Sequence, residues 1–342
     1  MMKNIRFKDY LLDYLEFNKI TNKDFANRIG ITPKHLIDIL SGKRDLSTQV
    51  VEAISIVTNI PCDYIYKIEL NYKFTKDIEE YLNKENISIT EFINKFNYKY
   101  LNENKWIDFT DIESKIDIAK DILKFLRVKN PFNLYKIEEN ICYKSKNDKP
   151  ELLLLWLEKC YKKMLEQNPL EYNKANIDKL VKYIRNCANN NIFNEDELVK
   201  EFNKNGIALV IQEDIPGSKI RGAFKVHKDI PAIYLTYKHK RIADIYFSLL
   251  HELAHLKSDF NSAKANSIIS YDDTINMEEK ADYEAFNWMV DDKYYNNIVK
   301  SKDYDISLES KYPKSFIAYR LAYDKLINYS SSIYQDNNIL LF

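Results

Sequence analysis

The pentapeptide His251-Glu252-Leu253-Ala254-His255 carries the clearest chemistry in the chain. Two histidines four residues apart stack on one face of a helix, so both imidazoles can reach a single metal ion. Glu252 sits one residue further round, where it can polarise a water at that ion without being a ligand. With five histidines in 342 residues, composition alone would produce an H-E-x-x-H roughly once in two hundred such chains. The flanking residues Tyr246-Phe247-Ser248-Leu249-Leu250 and Leu253-Ala254 predict an apolar, buried helix that keeps the site dry and rigid.

Zinc needs a third protein ligand. A metzincin pattern fails, because Ser258 and Asn261 stand where its Gly and its third ligand belong. Asp259 shares a face with His255 but is expected too close to the helix end to turn inward. Glu278, in Glu278-Glu279-Lys280-Ala281-Asp282, is the better candidate, with Asp282 one turn on accepting a hydrogen bond from a ligand imidazole. Glu279 is its rival, since a slip of one residue exchanges the two, and Glu278 could also be a solvated acidic helix start. Ligands His251, His255 and Glu278 would leave one position for water, as in a catalytic zinc site, with Glu252 as general base. His227, His239, Arg221 and Tyr271 are equal candidates for a further donor to the transition state, although both histidines are expected to be exposed surface residues. The strand around Ile233 to Tyr237 could take up substrate backbone as an edge.

A second constellation lies near the start. Thr21 with Asp24 opens a helix through Phe25, Ala26 and Ile29. Gly30 ends it in the left-handed conformation a tight corner needs, and Ile31 plugs that corner. Thr32-Pro33 starts the next helix as N-cap and first-turn proline. That helix is expected to turn Leu36, Ile37 and Leu40 inward, leaving Lys34, His35 and Asp38 outside, with Ser41-Gly42-Lys43-Arg44 closing it. A helix so braced can present its N-terminus to a DNA groove through Thr32, Lys34 and His35, while Lys43 and Arg44 suit phosphates. Residues 1–73 hold 11 Lys/Arg against 9 Asp/Glu, so turn chemistry rather than charge favours DNA over a plain helical hairpin.

Both constellations resemble known families. Phe25 to Leu36 followed by Ile39-Leu40-Ser41-Gly42-Lys43-Arg44 resembles the Cro/C1-type (XRE) helix-turn-helix, closest to its HigA-like antitoxin branch, which Tyr64 to Tyr72 resembles as well. The resemblance implies binding of a double-stranded, pseudo-palindromic operator as a homodimer. Glu278 to Ala285 resembles the E-x-x-A-[DN] helix of the ImmA/IrrE metallopeptidases, as do Ile233 to Leu250 and Ile317-Ala318-Tyr319-Arg320-Leu321. Glu284 and Asp291 depart from it, standing where that family prefers Phe and Pro. This resemblance implies Zn2+, a zincin-like fold and a protein substrate, such as a repressor.

The elements that must hold these residues are mostly helical. At roughly 150 residues per domain the length suggests two or three domains. The expected fold is mainly α with a small α+β C-terminal domain: a helix-turn-helix domain over 1–73, a helical linker or interaction domain over 74–204, and a metallopeptidase domain with a short sheet over 205–342. Breaks are expected near Lys129-Asn130-Pro131 and between Lys144 and Pro150, and Leu152, Leu155, Trp156, Lys159 and Cys160 form a core-facing stripe. Strands are expected at Ile207 to Ile211 and Ala232 to Tyr237, and a helix from Ala243 to Leu256.

Composition narrows the function classes. The 51 basic and 51 acidic side chains cancel, so contact with nucleic acid must be a local patch. Five glycines form no G-x-G-x-x-G, and Ala223-Phe224 follows the Gly217–Gly222 spacing where a P-loop needs Lys-Ser/Thr. Cys62, Cys142, Cys160 and Cys187 make no C-x-x-C pair, which argues against a cysteine zinc site and a disulfide scaffold. The first 17 residues lack the apolar core of a signal peptide, and the longest apolar run, Leu152 to Leu157, is far short of a bilayer span, so a cytoplasmic protein with no membrane role is expected. Two functions fit: a DNA-binding regulator fused to a zinc metallopeptidase, or a HigA-like antitoxin or mobile-element repressor that binds DNA and a partner protein, its metal structural or sensory.

Overall fold

The computed structural model describes residues 5–109, 114–138, 149–237, 240–264, 271–301, 304 and 311–341. Contacts divide the chain into two compact units, Met1–Ile93 with Phe109–Leu134, and Asn94–Asp108 with Tyr135–Phe342.

The first unit is built from short helices whose starts are written in the sequence. They are α1 (Phe7–Phe17), α2 (Asn22–Arg28), α3 (Pro33–Leu40), α4 (Thr48–Thr58) and the long α5 (Cys62–Glu85). Thr21, Thr32 and Ser47 each accept a backbone N–H from three residues on, satisfying a donor that the first turn would leave bare. Gly30, at φ +73°, makes the corner between α2 and α3. Phe7, Leu11, Phe25, Leu36, Ile54 and Ile65 fill one core. On α3 the buried stripe is Leu36, Ile39 and Leu40, while Ile37 is 51 % exposed, contrary to expectation. The spacing explains this: 36, 39 and 40 fall within one 100° arc, and 37 lies outside it.

The start of α1 is held by a contact that no local pattern announces. Arg6 donates to Glu69 of α5 at 3.1 Å, and the Phe7 amide donates to the other oxygen of the same carboxylate at 2.9 Å. Beyond α5 come α6 (Ile89–Lys95), α7 (Tyr98–Glu103), which belongs to the second unit, α8 (Lys115–Phe125) and α9 (Pro131–Glu138). Tyr81 of α5 meets Phe92 and Phe132 edge-on, so α5 runs unbroken past residue 73 and belongs to one packed unit on both sides of it.

In the second unit α10 (Pro150–Met164), α11 (Ile177–Asn189) and α12 (Glu195–Lys204) precede β1 (Ala208–Ile211), β2 (Gly222–His227) and β3 (Ile230–Leu235). Then follow α13 (Ile242–Lys264), α14 (Tyr271–Met289), α15 (Asp292–Ser301), α16 (Lys314–Tyr323) and α17 (Ser332–Asn337). Ile177 to Phe202 share a core with Leu209, Ile233 and α13, so residue 204 falls inside a unit. The expected stripe on α10 is wider than one face: Leu152 to Leu157 are all buried.

Among the described residues the sheet runs β1-β3-β2, with β1 parallel and β2 antiparallel to β3. The strand expected to receive substrate at its edge is therefore the central one, its hydrogen-bonding groups used on both sides. Among the described residues the two edges are β1, where the Gln167 side chain bonds the Leu209 carbonyl and amide, and β2, a strand absent from the sequence reading because only Ala223, Phe224 and Val226 are apolar in it. Ile233 and Leu235 turn toward α13, while Tyr234 meets Trp156 of α10 edge-on, so β3 is buried on both faces. Among the described residues no helix is long and apolar enough to cross a membrane, and Cys62, Cys160 and Cys187 are free thiols; Cys142 lies outside them.

Candidate functional site

The middle of α13 is buried on the sheet, and its histidines emerge toward α14. His251 and Glu252 are 3 % and 7 % exposed, beside the fully buried Leu249, Leu250 and Leu253. On α14 Glu278 faces the two rings and Glu279 is exposed, which separates the rivals. The helix begins at Tyr271, so Glu278 is well inside it rather than at an acidic start. Its Oε1 lies 3.1 Å from His255 Nε2 and its Oε2 3.3 Å from His251 Nε2, while the two Nε2 atoms are 3.1 Å apart. All three candidate ligand atoms fall within 4.8 Å of one another.

The opposite ring nitrogens explain this convergence. His251 Nδ1 lies 2.8 Å from Asp282 Oδ1, and His255 Nδ1 lies 2.9 Å from Asp259 Oδ2. A carboxylate accepts, so each Nδ1 carries a proton and Nε2 is the atom that each ring can offer to a cation. Two facing lone pairs repel unless a cation or a proton lies between them. Asp282 takes the place expected of it. Asp259 was expected near a helix end, but α13 continues to Lys264 and Asp259 reaches back to the His255 ring. Its i+4 spacing from His255 was the available signal.

Four carboxylates, Glu252, Asp259, Glu278 and Asp282, thus surround two imidazoles in a poorly solvated place. Burial lowers His255, but hydrogen bonds to Asp259 and Glu278, with the charges of Glu252 and Glu278, outweigh it and raise the ring to about 10. Burial likewise pushes Glu278 up, and the hydrogen bonds and charges of the two histidines bring it far below the usual carboxylate range. The donor set, two imidazole nitrogens and a carboxylate with surplus negative charge behind them, fits a divalent cation of zinc type.

Glu252 is positioned by β2. A Cβ placed on Gly222 would come 2.8 Å from Glu252 Oε1, so the absence of a side chain there makes room for this carboxylate. The sequence points to Gly222 only through its P-loop-like spacing from Gly217, not as a neighbour of Glu252; the available signal was rarity, one of five glycines in 342 residues. Phe247 and Phe286, 4.7 Å apart, wall the site on the side of α14. Glu284 pairs with Lys257 at 2.5 Å, and Asp291 accepts the Tyr294 amide at the start of α15. Arg320, in the block Ile317 to Leu321, donates to the Val290 carbonyl that ends α14.

The remaining candidates divide. His227 is not an exposed surface histidine: its Nε2 is 2.7 Å from the Tyr234 hydroxyl and its ring rests 4.8 Å from Tyr161. Arg221 is exposed beside Gly222. His239 and the Tyr271 side chain lie outside the described residues. In the first unit Thr32, Lys34, Lys43 and Arg44 are exposed and His35 is half-buried, on the N-terminal turn of α3 and the loop after it.

The sequence matches a helix-turn-helix family over residues 13–65. No curated protein and no solved structure matches the chain. The matched span covers α2, α3 and α4 with their caps, and so the N-terminal part is an XRE-type helix-turn-helix, the front end of a DNA-binding regulator.

Proposed function

We propose that the protein is a transcriptional regulator whose second unit is a zinc-dependent endopeptidase of ImmA/IrrE type acting on a partner protein, most simply a repressor. The observation that carries this reading is the convergence of His251 Nε2, His255 Nε2 and Glu278 within 4.8 Å, with both Nδ1 atoms held by Asp282 and Asp259. A divalent cation held by these three side chains would supply Lewis acidity to water and to a scissile carbonyl. Asp259 and Asp282 keep the ring tautomers fixed. Glu252, buried beside Gly222, takes the proton of the attacking water as the C–O bond forms and delivers it to the leaving nitrogen as the C–N bond breaks. β2, an edge strand among the described residues, offers its outer side to an extended substrate.

The test is metal content and turnover in the full-length protein. We expect about one zinc per chain by mass spectrometry, lost in Glu278→Gln and kept in Glu252→Gln. Glu252→Gln should also lose at least about a hundredfold in cleavage of a repressor encoded beside it. A wild-type chain that holds no zinc would end the hydrolytic reading. One that holds zinc but leaves every neighbouring gene product intact would favour a HigA-like antitoxin or repressor with a sensory metal.

A further inference from the structure

A cavity of about 610 Å³ opens at the N-terminal end of α13. Three cationic side chains, Arg221, Lys240 and Arg241, line it together with the phenols of Tyr319, Tyr323 and Tyr329. Asp244, which accepts the Tyr334 hydroxyl and the Asn338 amide at 2.9 Å each, is the one carboxylate among the described lining residues and offsets one of the three cations. Arg241 donates to backbone carbonyls of Gln335 and Asn338. Those acceptors are neutral, so its charge is not cancelled. Arg221 and Lys240 are exposed, and the cavity is left with an excess of positive charge. Burial raises the Tyr319 and Tyr329 phenols, which therefore remain neutral donors.

The cavity adjoins the metal centre. Asp244 and His251 are seven residues apart on α13, two turns along the same face, or roughly 10 Å. Tyr323 lines the cavity and its hydroxyl donates to Asp282 Oδ2 at 3.4 Å, while the other oxygen of Asp282 meets His251. Arg221 directly precedes Gly222, which touches Glu252.

We propose that this cavity is a recognition pocket for an acidic side chain of the substrate, an Asp or Glu about three residues from the bond that is cut, gripped by Arg221 and Lys240. The distance of three residues follows from an extended chain's rise of about 3.3 Å each. The inference rests on the peptidase reading, but it can be tested without turnover. The probes are two fluorescein-labelled nonapeptides of Ala and Ser, identical except for one central Glu or Gln. They are titrated into the full-length protein at low salt. Wild type and Glu278→Gln should both bind the Glu peptide about tenfold more tightly, and the preference should shrink with added salt. Arg221→Gln combined with Lys240→Gln should bind the two alike, with an unchanged circular dichroism melting curve, since both side chains are exposed. Equal binding of the two peptides by wild type would overturn the proposal, as would a preference that survives the double substitution. Displacement of the Glu peptide by an equal concentration of inorganic phosphate would reassign the cavity to free anions and also overturn it. Because the preference is read in Glu278→Gln too, loss of the metal and loss of the pocket give different results.

Discussion

At the scale of residues the candidate metal centre is first of all an electrostatic arrangement. His255, raised to about 10 by its carboxylate neighbours, is protonated at neutral pH when no metal is bound. Metal uptake must expel that proton. Calorimetry in buffers of different ionisation heat should count about one proton released per zinc at pH 7, and affinity should climb about tenfold per pH unit from 7 to 9. Release of none would mean that the ring is already neutral. The stability of the metal-free protein has the opposite sign. A folded value above the unfolded 6.5 contributes stability that is fully present below about 6.5 and is lost as pH rises toward about 10. Gly222 gives a separate prediction. Gly222→Ala drives a methyl into Glu252 Oε1, and a base displaced by about 1 Å costs on the order of a hundredfold in rate. Zinc content should be unchanged; full activity in this variant would show that the Glu252 carboxylate need not sit where β2 holds it.

The recognition helix α3 is braced by Leu36, Ile39 and Leu40, so Ile39→Ala should cost about 2–5 kcal/mol. Ile37→Ala, on the exposed side, should stay within about 1 kcal/mol. Urea unfolding followed by helix signal separates the two, and equal losses would mean that α3 packs in another register. Helix faces were nearly legible from spacing alone, and the error at Ile37 arose because an apolar residue next to a buried one reads as part of the same stripe. The sheet was less legible. β2 and β3 form a hairpin with His227 opposite Ile230, but β1 joins β3 from 24 residues away, and nothing in the Ala232 to Tyr237 stretch says that it will be flanked on both sides.

For the whole molecule, the two compact units each have a core of their own, and the candidate ligands all belong to the second. Thermal unfolding should accordingly show chelation lowering one transition and leaving the helix-turn-helix transition in place. With zinc at a hundred times its Kd the linked stabilisation is about 2.7 kcal/mol. A chelator that shifts both transitions equally would show the units to unfold as one.

What the sequence determined alone was local. H-E-x-x-H places two imidazoles on one face of any helix it forms, and Thr32-Pro33 after Gly30 starts α3 wherever that helix packs, because caps and periodicities act over three or four residues. Glu278 over Glu279, Asp259 behind His255, Gly222 against Glu252 and the buried Arg6–Glu69 pair were decided by tertiary structure. Each depends on how one element is rotated and set down against another. That rotation is chosen by the summed burial of many side chains across the core, a quantity no short window of sequence contains.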